Sequence, residues 1–285
     1  MLRVVLLTVA MAYAKAFSIN PAEAKCTSGM TPDPGSLKGT KALIVVTSHD
    51  VLGDEGCTDC KPTGVYGEEM TAPYWMFKDA GMETQIVTIK GGDVPVDPTY
   101  NNTLEITSWD KRFFADPQAY IDSHNTKSVK DIDFSVYDIV YMAGGWGAAW
   151  DLGTSNELAA GVSKVYANEK QFLGSVCHGA LGFIHATKPD GTNVCAGTKM
   201  TGVTDKQIEQ LGIAKVTPQH PEDELKKAGA EYECKHGLIT DIFENDVVID
   251  GRIVTGQNQM GACQVPQELM KMLKTHLDSQ NEFLQ

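Results

Sequence analysis

The feature that most constrains this chain is an apolar run that stops abruptly at a cysteine. Gln171 to Val176 reads as a strand and ends at Cys177-His178. Gly179, Ala180 and Gly182 follow, in a segment that can be helical. A strand, a strained turn bearing a nucleophile and then a helix is the layout of a nucleophile elbow. Such a turn lifts its side chain above the strand ends, where ligands bind in open α/β sheets. A helix starting there aims its first N–H groups at the sulfur and favours thiolate. Small neighbours let backbone approach a substrate closely. The competing reading of Cys177 is a buried structural thiol, because free cysteine is among the most buried residue types.

The flanking sequence supplies the sheet that an elbow needs. Lys41 to Thr47 is a continuous apolar run of strand length, as a parallel strand buried on both faces requires. Gly67 to Ala80 reads as a helix with Gly81 closing it, and Thr84 to Ile89 as the next strand, giving a βαβ unit. Residues 91–134 form a long insertion with a helix near Gln118 to Ser123. Tyr137 to Met142 is a third strand, and a helix from Ser155 to Lys170 leads into the elbow strand. Short strands at 199–201 and 231–233, and helices at 205–211 and 221–228, come next. A hairpin around Asp250-Gly251 and a last amphipathic helix over 264–277 complete the pattern. The fold class expected is α/β, a flavodoxin-like three-layer sandwich with a mostly parallel central sheet and a Cys nucleophile elbow.

Composition narrows the partners. A net charge of −13 argues against nucleic acid and against anionic membrane surfaces. With 42% hydrophobic and 21% charged residues, the 285-residue chain can bury a real core. The opening residues read as a secretory signal peptide: Met1-Leu2-Arg3, an apolar stretch from Val4 to Ala14, and a cleavage site at Ala14-Lys15-Ala16. A second small-residue site, Ala22-Glu23-Ala24, gives an alternative cleavage point after 24. The expected organisation is a signal over 1–16, an irregular lead-in over 17–40 and a single α/β domain over 41–285. Secretion is the expected route, with no membrane attachment after signal removal. Phe17 after the first site also fits two-part plastid presequences, so a plastid or other endomembrane-derived compartment is the alternative.

Cys177 aside, six cysteines remain: Cys26, Cys57, Cys60, Cys195, Cys234 and Cys263. An oxidising compartment would allow up to three disulfides among them. Cys57-Thr58-Asp59-Cys60 is a C-x-x-C without a second metal-ligand pair, which favours a small loop disulfide, or two bridges to elsewhere, over zinc. No metal site is expected. There is no Gly-rich phosphate loop, so no nucleotide or other cofactor is implied.

At Val176-Cys177-His178-Gly179 the chain resembles the ThiJ/PfpI superfamily of class I glutamine-amidotransferase-like folds. The resemblance runs from about Lys41 to the C-terminus. Its glyoxalase-like branch carries a T-G-x-x-x-x-E stretch before a helix with an early proline, matched here by Thr63, Gly64, Glu69 and Pro73. On residues alone, Glu68 and Glu69 are ordinary acidic residues at a helix start. The resemblance makes Glu69 the site acid. Gly144 and Gly145 follow the third strand and can turn backbone N–H groups toward a developing oxyanion, with Gly145 and His178 as the expected donors. The branch normally reads G-G-H-G there, and this chain has Trp146 in place of the histidine.

The resemblance also implies that His178 pairs with Cys177 and is oriented by an acid. Ile208 falls near the position expected for the acid, leaving Asp205, Glu209 or Asp151 as substitutes. His49, at the end of the first strand, is read as a loop residue. Gly256-Gln257-Asn258 is read as a structural turn. The function implied is a cofactor-independent cysteine enzyme that takes a 2-oxoaldehyde to a 2-hydroxy acid, with Cys177 as nucleophile and Glu69 as acid/base. The alternatives are a cysteine hydrolase, amidase or hydratase of the same superfamily, or a non-catalytic binding or holdase descendant. The partner is a small-molecule substrate. A homodimer agrees with the resemblance and with the prevalence of symmetric oligomers, although no residue marks an interface.

Overall fold

The computed structural model describes residues 33–98, 106–238 and 240–283. The segment expected to be a signal peptide, Cys26 and most of the expected lead-in lie outside these residues. Seven strands form one sheet. β1 (Lys41–Val46), β2 (Glu83–Thr88), β3 (Lys127–Ser128), β4 (Ile139–Met142), β5 (Phe172–Val176), β8 (Val247–Asp250) and β9 (Ile253–Gly256) lie in the order β3-β2-β1-β4-β5-β9-β8. All neighbours run parallel except β8, which pairs antiparallel with β9 across the Asp250-Gly251 turn. β6 (Lys199–Met200) and β7 (Glu231–Tyr232) form a separate two-stranded parallel pair.

The continuous apolar strands divide by parity, because successive side chains on a strand face opposite ways. From β1, Ala42, Ile44 and Val46 enter one core and Leu43 and Val45 the other. The first core is closed by α1 (Gly67–Asp79) and by the last helix, Gln264–Phe283, which contributes Val265, Leu269, Met270 and Leu273. The second is closed by α5 (Asn156–Tyr166) through Leu158, Val162 and Val165, together with Ala180, Leu181 and Phe183 beyond the elbow. This is the three-layer α/β arrangement expected.

Several elements depart from the sequence reading. The insertion contains a second helix, α2 (Ser108–Ala115), besides α3 (Pro117–Ser123). A capping box starts α2: the Thr107 hydroxyl accepts from the Asp110 N–H, and the Asp110 carboxylate accepts from the Thr107 N–H. The segment after the elbow is a 3₁₀ run, Cys177–Phe183, instead of an α-helix. α5 stops at Tyr166, short of Lys170. The final helix continues well past Leu277, to Phe283.

Between these elements lie α4 (Ala148–Asp151), α6 (Asp205–Gln210) and α7 (Pro221–Lys227). The final helix is α8. No helix among the described residues is long and apolar enough to cross a membrane.

The cysteines sort differently from a three-bridge framework. Cys57 and Cys60 are joined, as expected for a loop disulfide, and Cys263 is also disulfide-bonded. Cys195 and Cys234, however, are free thiols alongside Cys177, so the six do not all pair. Cys195 is fully buried beneath apolar neighbours, where a thiol packs as a small hydrophobe.

Two loops are tied to the sheet rim by buried polar bonds. Asp151 accepts from the Thr47 hydroxyl at 2.8 Å and from the Ser48 N–H at 2.7 Å, fixing the exit of β1 to α4. His49 stacks on Trp150 with ring centroids 4.5 Å apart, and its Nε2 lies 2.8 Å from the Gly53 carbonyl, a loop role. Gln257 bonds the Lys235 backbone and the Asn258 side chain meets the Glu244 carbonyl, so the 256–258 turn is structural.

Close approach of the elbow to β4 sets a sharp stability test. A Cβ at Gly179 would lie 2.1 Å from the Met142 carbonyl oxygen, a backbone atom that cannot swing aside. Gly191, at φ +85°, has nothing within 4 Å of such an atom. Gly179→Ala is therefore expected to cost about 3 kcal/mol by overpacking, and Gly191→Ala about 1 kcal/mol from backbone strain. Urea unfolding midpoints measure both. Equal losses at the two sites would contradict the close elbow–β4 packing.

Candidate active site

Strand order reverses at β1: β2 lies on one side and β4 on the other. Crevices of open α/β sheets form at such switch points, outside the carboxyl ends of the strands. Here the chain leaving β4 carries Gly144 and Gly145, the chain leaving β5 carries Cys177 and His178, and the loop after β1 leads into α1 and Glu69. The structure brings all of them together.

Cys177 occupies the left-handed region at φ 58°, one of two non-glycine residues among those described that do so. That conformation costs a residue with a Cβ roughly 1–2 kcal/mol. It is the strained turn anticipated for an elbow. The Cys177 sulfur accepts hydrogen bonds from the backbone N–H groups of His178 and Gly145. These are the two donors anticipated for an oxyanion, and at rest they serve the sulfur.

Glu69 lies in the first turn of α1, 1% exposed. Its Oε2 accepts from the Gly144 N–H at 2.8 Å, and the carboxyl is hydrogen-bonded to Cys177. Glycine is required at both positions for steric reasons as well. A Cβ at Gly144 would sit 2.6 Å from the His178 N and 2.8 Å from Glu69 Oε2. Gly145 has φ +96°, and a Cβ there would sit 2.3 Å from the Tyr66 N.

Burial dominates the electrostatics. It pushes the Glu69 carboxyl up to about 8, against the pull of the Gly144 N–H and of Cys177. Burial and the adjacent Glu69 charge raise the Cys177 thiol well above its usual range, outweighing the two N–H donors. The plain thiolate expected from the elbow geometry is therefore not the resting form. The 3₁₀ run brings the His178 N–H to the sulfur and the chain leaving β4 brings that of Gly145, but the pair is too deeply buried to carry two negative charges. Two groups this strongly coupled titrate as a unit, and at neutral pH the carboxyl and the thiol both keep their protons.

His178 is fully buried and pulled down to about 3, first by burial and then by the nearby His220 charge, so its imidazole is neutral. Its Nδ1 lies 3.6 Å from Cys177 Sγ, while its Nε2 has no hydrogen-bond partner among the described residues. Trp146 meets the ring edge-on, with centroids 5.2 Å apart.

None of the three candidate acids orients His178. Asp151 is held by Thr47 and Ser48. Glu209 is exposed on α6, and Ile208 beside it is buried. Asp205 faces His220, Oδ1 to Nδ1 at 3.5 Å, and its N–H donates to Glu222. Burial, followed by the Glu222 and Asp223 carboxylates, raises the Asp205 carboxyl.

Tyr141 was not singled out in the sequence. Its buried hydroxyl has no hydrogen-bond partner among the described residues, and it interacts electrostatically with Glu69 and Cys177. Its signal in the sequence was hidden, because a tyrosine in a buried strand reads as core. Among the described residues no cluster of His, Cys, Asp and Glu could hold a metal ion.

Known proteins share this architecture. Glutathione-independent glyoxalase hsp3101 of Schizosaccharomyces pombe is 28% identical over 221 residues, covering 74% of this chain and 87% of its own. Glyoxalase 3 of Candida albicans is 28% identical over 239 residues, covering 81% and 97%. The crystal structure of glyoxalase III from Candida albicans superposes with a TM-score of 0.73 at 27% identity, covering 81% of this chain and 96% of that one. Rapid Encystment Protein 24 KDa of Francisella tularensis gives 0.74 at 29%, covering 82% and 99%. A family model, the DJ-1/PfpI family, matches residues 61–272. With a sheet that switches direction at β1, a cysteine strained on the turn after β5 and a glutamate buried against it, the chain belongs to the DJ-1/PfpI family.

Proposed function

We propose that this protein is a cofactor-independent, glyoxalase-like cysteine enzyme that converts small 2-oxoaldehydes to 2-hydroxy acids. The observation that carries the proposal is the buried Glu69–Cys177 pair with backbone N–H groups of Gly145 and His178 at the sulfur. Relatives named as glutathione-independent glyoxalases support it.

In the proposed reaction, Glu69 takes the Cys177 proton as the sulfur attacks the aldehyde carbon and passes it to the new oxygen, giving a hemithioacetal and freeing the carboxylate to act again. The new oxyanion can be met by the N–H donors that hold the sulfur at rest. Glu69 then carries the C1 proton to C2 through an enediol, leaving a 2-hydroxyacyl thioester. Water hydrolyses this thioester, releasing the 2-hydroxy acid and restoring the thiol. A carboxyl raised to about 8 suits both halves of the shuttle, since it takes and returns a proton near neutral pH. Cys177 is 6% exposed, which favours a small substrate.

Amide hydrolysis by a Cys–His–acid set is less well supported. It needs an imidazole that gains a proton, and His178 is buried, held neutral and without an acid on Nε2. Entry into the secretory route is proposed separately, from the N-terminal sequence pattern. N-terminal sequencing of the mature protein tests it: a start at Met1 would contradict it.

Methylglyoxal consumption with lactate as the assayed product tests the function. Cys177→Ala and Glu69→Gln are each expected to reduce kcat/KM by about 10³-fold or more, as loss of a nucleophile or a general base does. Wild-type protein that makes no lactate while Cys177 still alkylates would move the chemistry to another substrate.

The carboxyl must be ionised to accept the thiol proton. Log kcat/KM is therefore expected to rise with pH and level off above about 8. A profile flat from mildly acidic to mildly alkaline pH would rule out Glu69 as the base.

A further inference from the structure

A second line of nucleophile, imidazole and carboxylate lies beyond β7, sharing no residue with the Cys177 site. Cys234 Sγ is 3.2 Å from His236 Nε2, and His236 Nδ1 is 2.5 Å from Asp241 Oδ2. Asp241 is fully buried. Its Oδ1 accepts from Lys206 Nζ at 2.8 Å and from the Gly237 N–H at 2.9 Å, and its own N–H donates to Gln210 Oε1 at 3.0 Å. Burial opposes its charge, yet the bonds from His236, Lys206 and Gly237 bring the carboxyl down to about 2. It is an ionised, acceptor-only group.

This fixes the tautomer. A carboxylate facing Nδ1 requires the imidazole proton to be on Nδ1, which leaves the Nε2 lone pair turned toward Cys234. The thiol then donates to Nε2. A nucleophile beside a base that is itself oriented by a third group is the general form of an activated thiol. The other charged groups nearby are paired: Glu222 with Lys226 at 2.6 Å and Asp246 with Lys235 at 2.8 Å. Partial burial and the Glu222 carboxylate hold the Cys234 thiol above its usual range, so it rests protonated and needs a base at the moment of reaction. Cys195, by contrast, is fully buried, and Cys177 is 6% exposed. His236 is 54% exposed, so a reagent in solvent meets this pair first.

We propose that Cys234 is a second reactive thiol, a thiol–disulfide exchange site for small-molecule disulfides, with His236 as general base and Asp241 as the residue that orients it. Cys234 Sγ bonds to one sulfur of the incoming disulfide as its S–S bond breaks. The thiol proton passes to His236 Nε2 and then to the departing thiolate. The products are a mixed disulfide on Cys234 and one small thiol, with no net oxidant required. The site would let the protein carry a reversible thiol cap away from Cys177.

The test uses the purified full chain with 2-hydroxyethyl disulfide as the probe, and peptide mass mapping to follow the mixed disulfide at each cysteine. Cys234 is expected to be labelled at least about tenfold faster than Cys177 or Cys195. His236→Gln should slow that labelling by about tenfold or more. His236→Arg, which brings in a cation but no base, should also slow it. His236 is largely exposed, so both variants should fold, and circular dichroism confirms it. Labelling of Cys177 ahead of Cys234, or an unchanged Cys234 rate in either folded variant, would overturn the proposal.

Discussion

The site depends on one contact, a carboxyl and a thiol buried against each other with little water. A lone carboxylate at 1% exposure would be expensive to keep charged. The protein offsets part of that cost with the Gly144 N–H on Glu69 and with the His178 and Gly145 N–H groups on the sulfur. These backbone dipoles are fixed in place by the sheet, so they need no reorganisation when charge moves along the pair. The result is a group of raised proton affinity in contact with a nucleophile. In the proposed reaction, that combination would serve proton transfer between adjacent carbons better than a freely ionised thiolate would.

The fold makes this contact possible by converging three strand ends. The left-handed backbone at Cys177 turns the sulfur toward β4, and glycines at 144, 145 and 179 let the segments approach closer than side chains would allow. On the β1 side, Asp151 ties Thr47 and Ser48 to α4. The Cys57–Cys60 disulfide lies within the loop that runs on to Gly64 and Tyr66. The Gly147 N–H bonds the Gly64 carbonyl, so this loop is joined to the chain leaving β4 beside the site. Loop closure and strand register thus act on the same few atoms.

Much of this was legible in the sequence. Strands buried on both faces advertise themselves as continuous apolar runs, and the elbow as an apolar run broken by Cys177 and small residues. Glu69 could be separated from Glu68 only through the family pattern, because local sequence gives both the same helix-start role. Other features were hidden because they depend on distant parts of the chain. The thiol's protonation follows from burial by segments far from Cys177. The absence of an acid on His178 follows from Asp205 turning to His220 instead. α2 was not read from the sequence, although its capping pair, Thr107 and Asp110, was present within the insertion. The Cys234–His236–Asp241 line escaped notice because Cys234 was counted among potential disulfide partners.

The central claim is that the buried Glu69 carboxyl stays protonated beside the Cys177 thiol at neutral pH and that the two titrate as one unit. Infrared difference titration of wild type against Glu69→Gln reads it directly, through the protonated carboxyl band and the S–H band of Cys177. The account predicts a protonated carboxyl band that persists at pH 7 and is lost around 8, with the S–H band changing in the same step. A carboxyl already ionised by pH 6, with the S–H band indifferent to its titration, would contradict it.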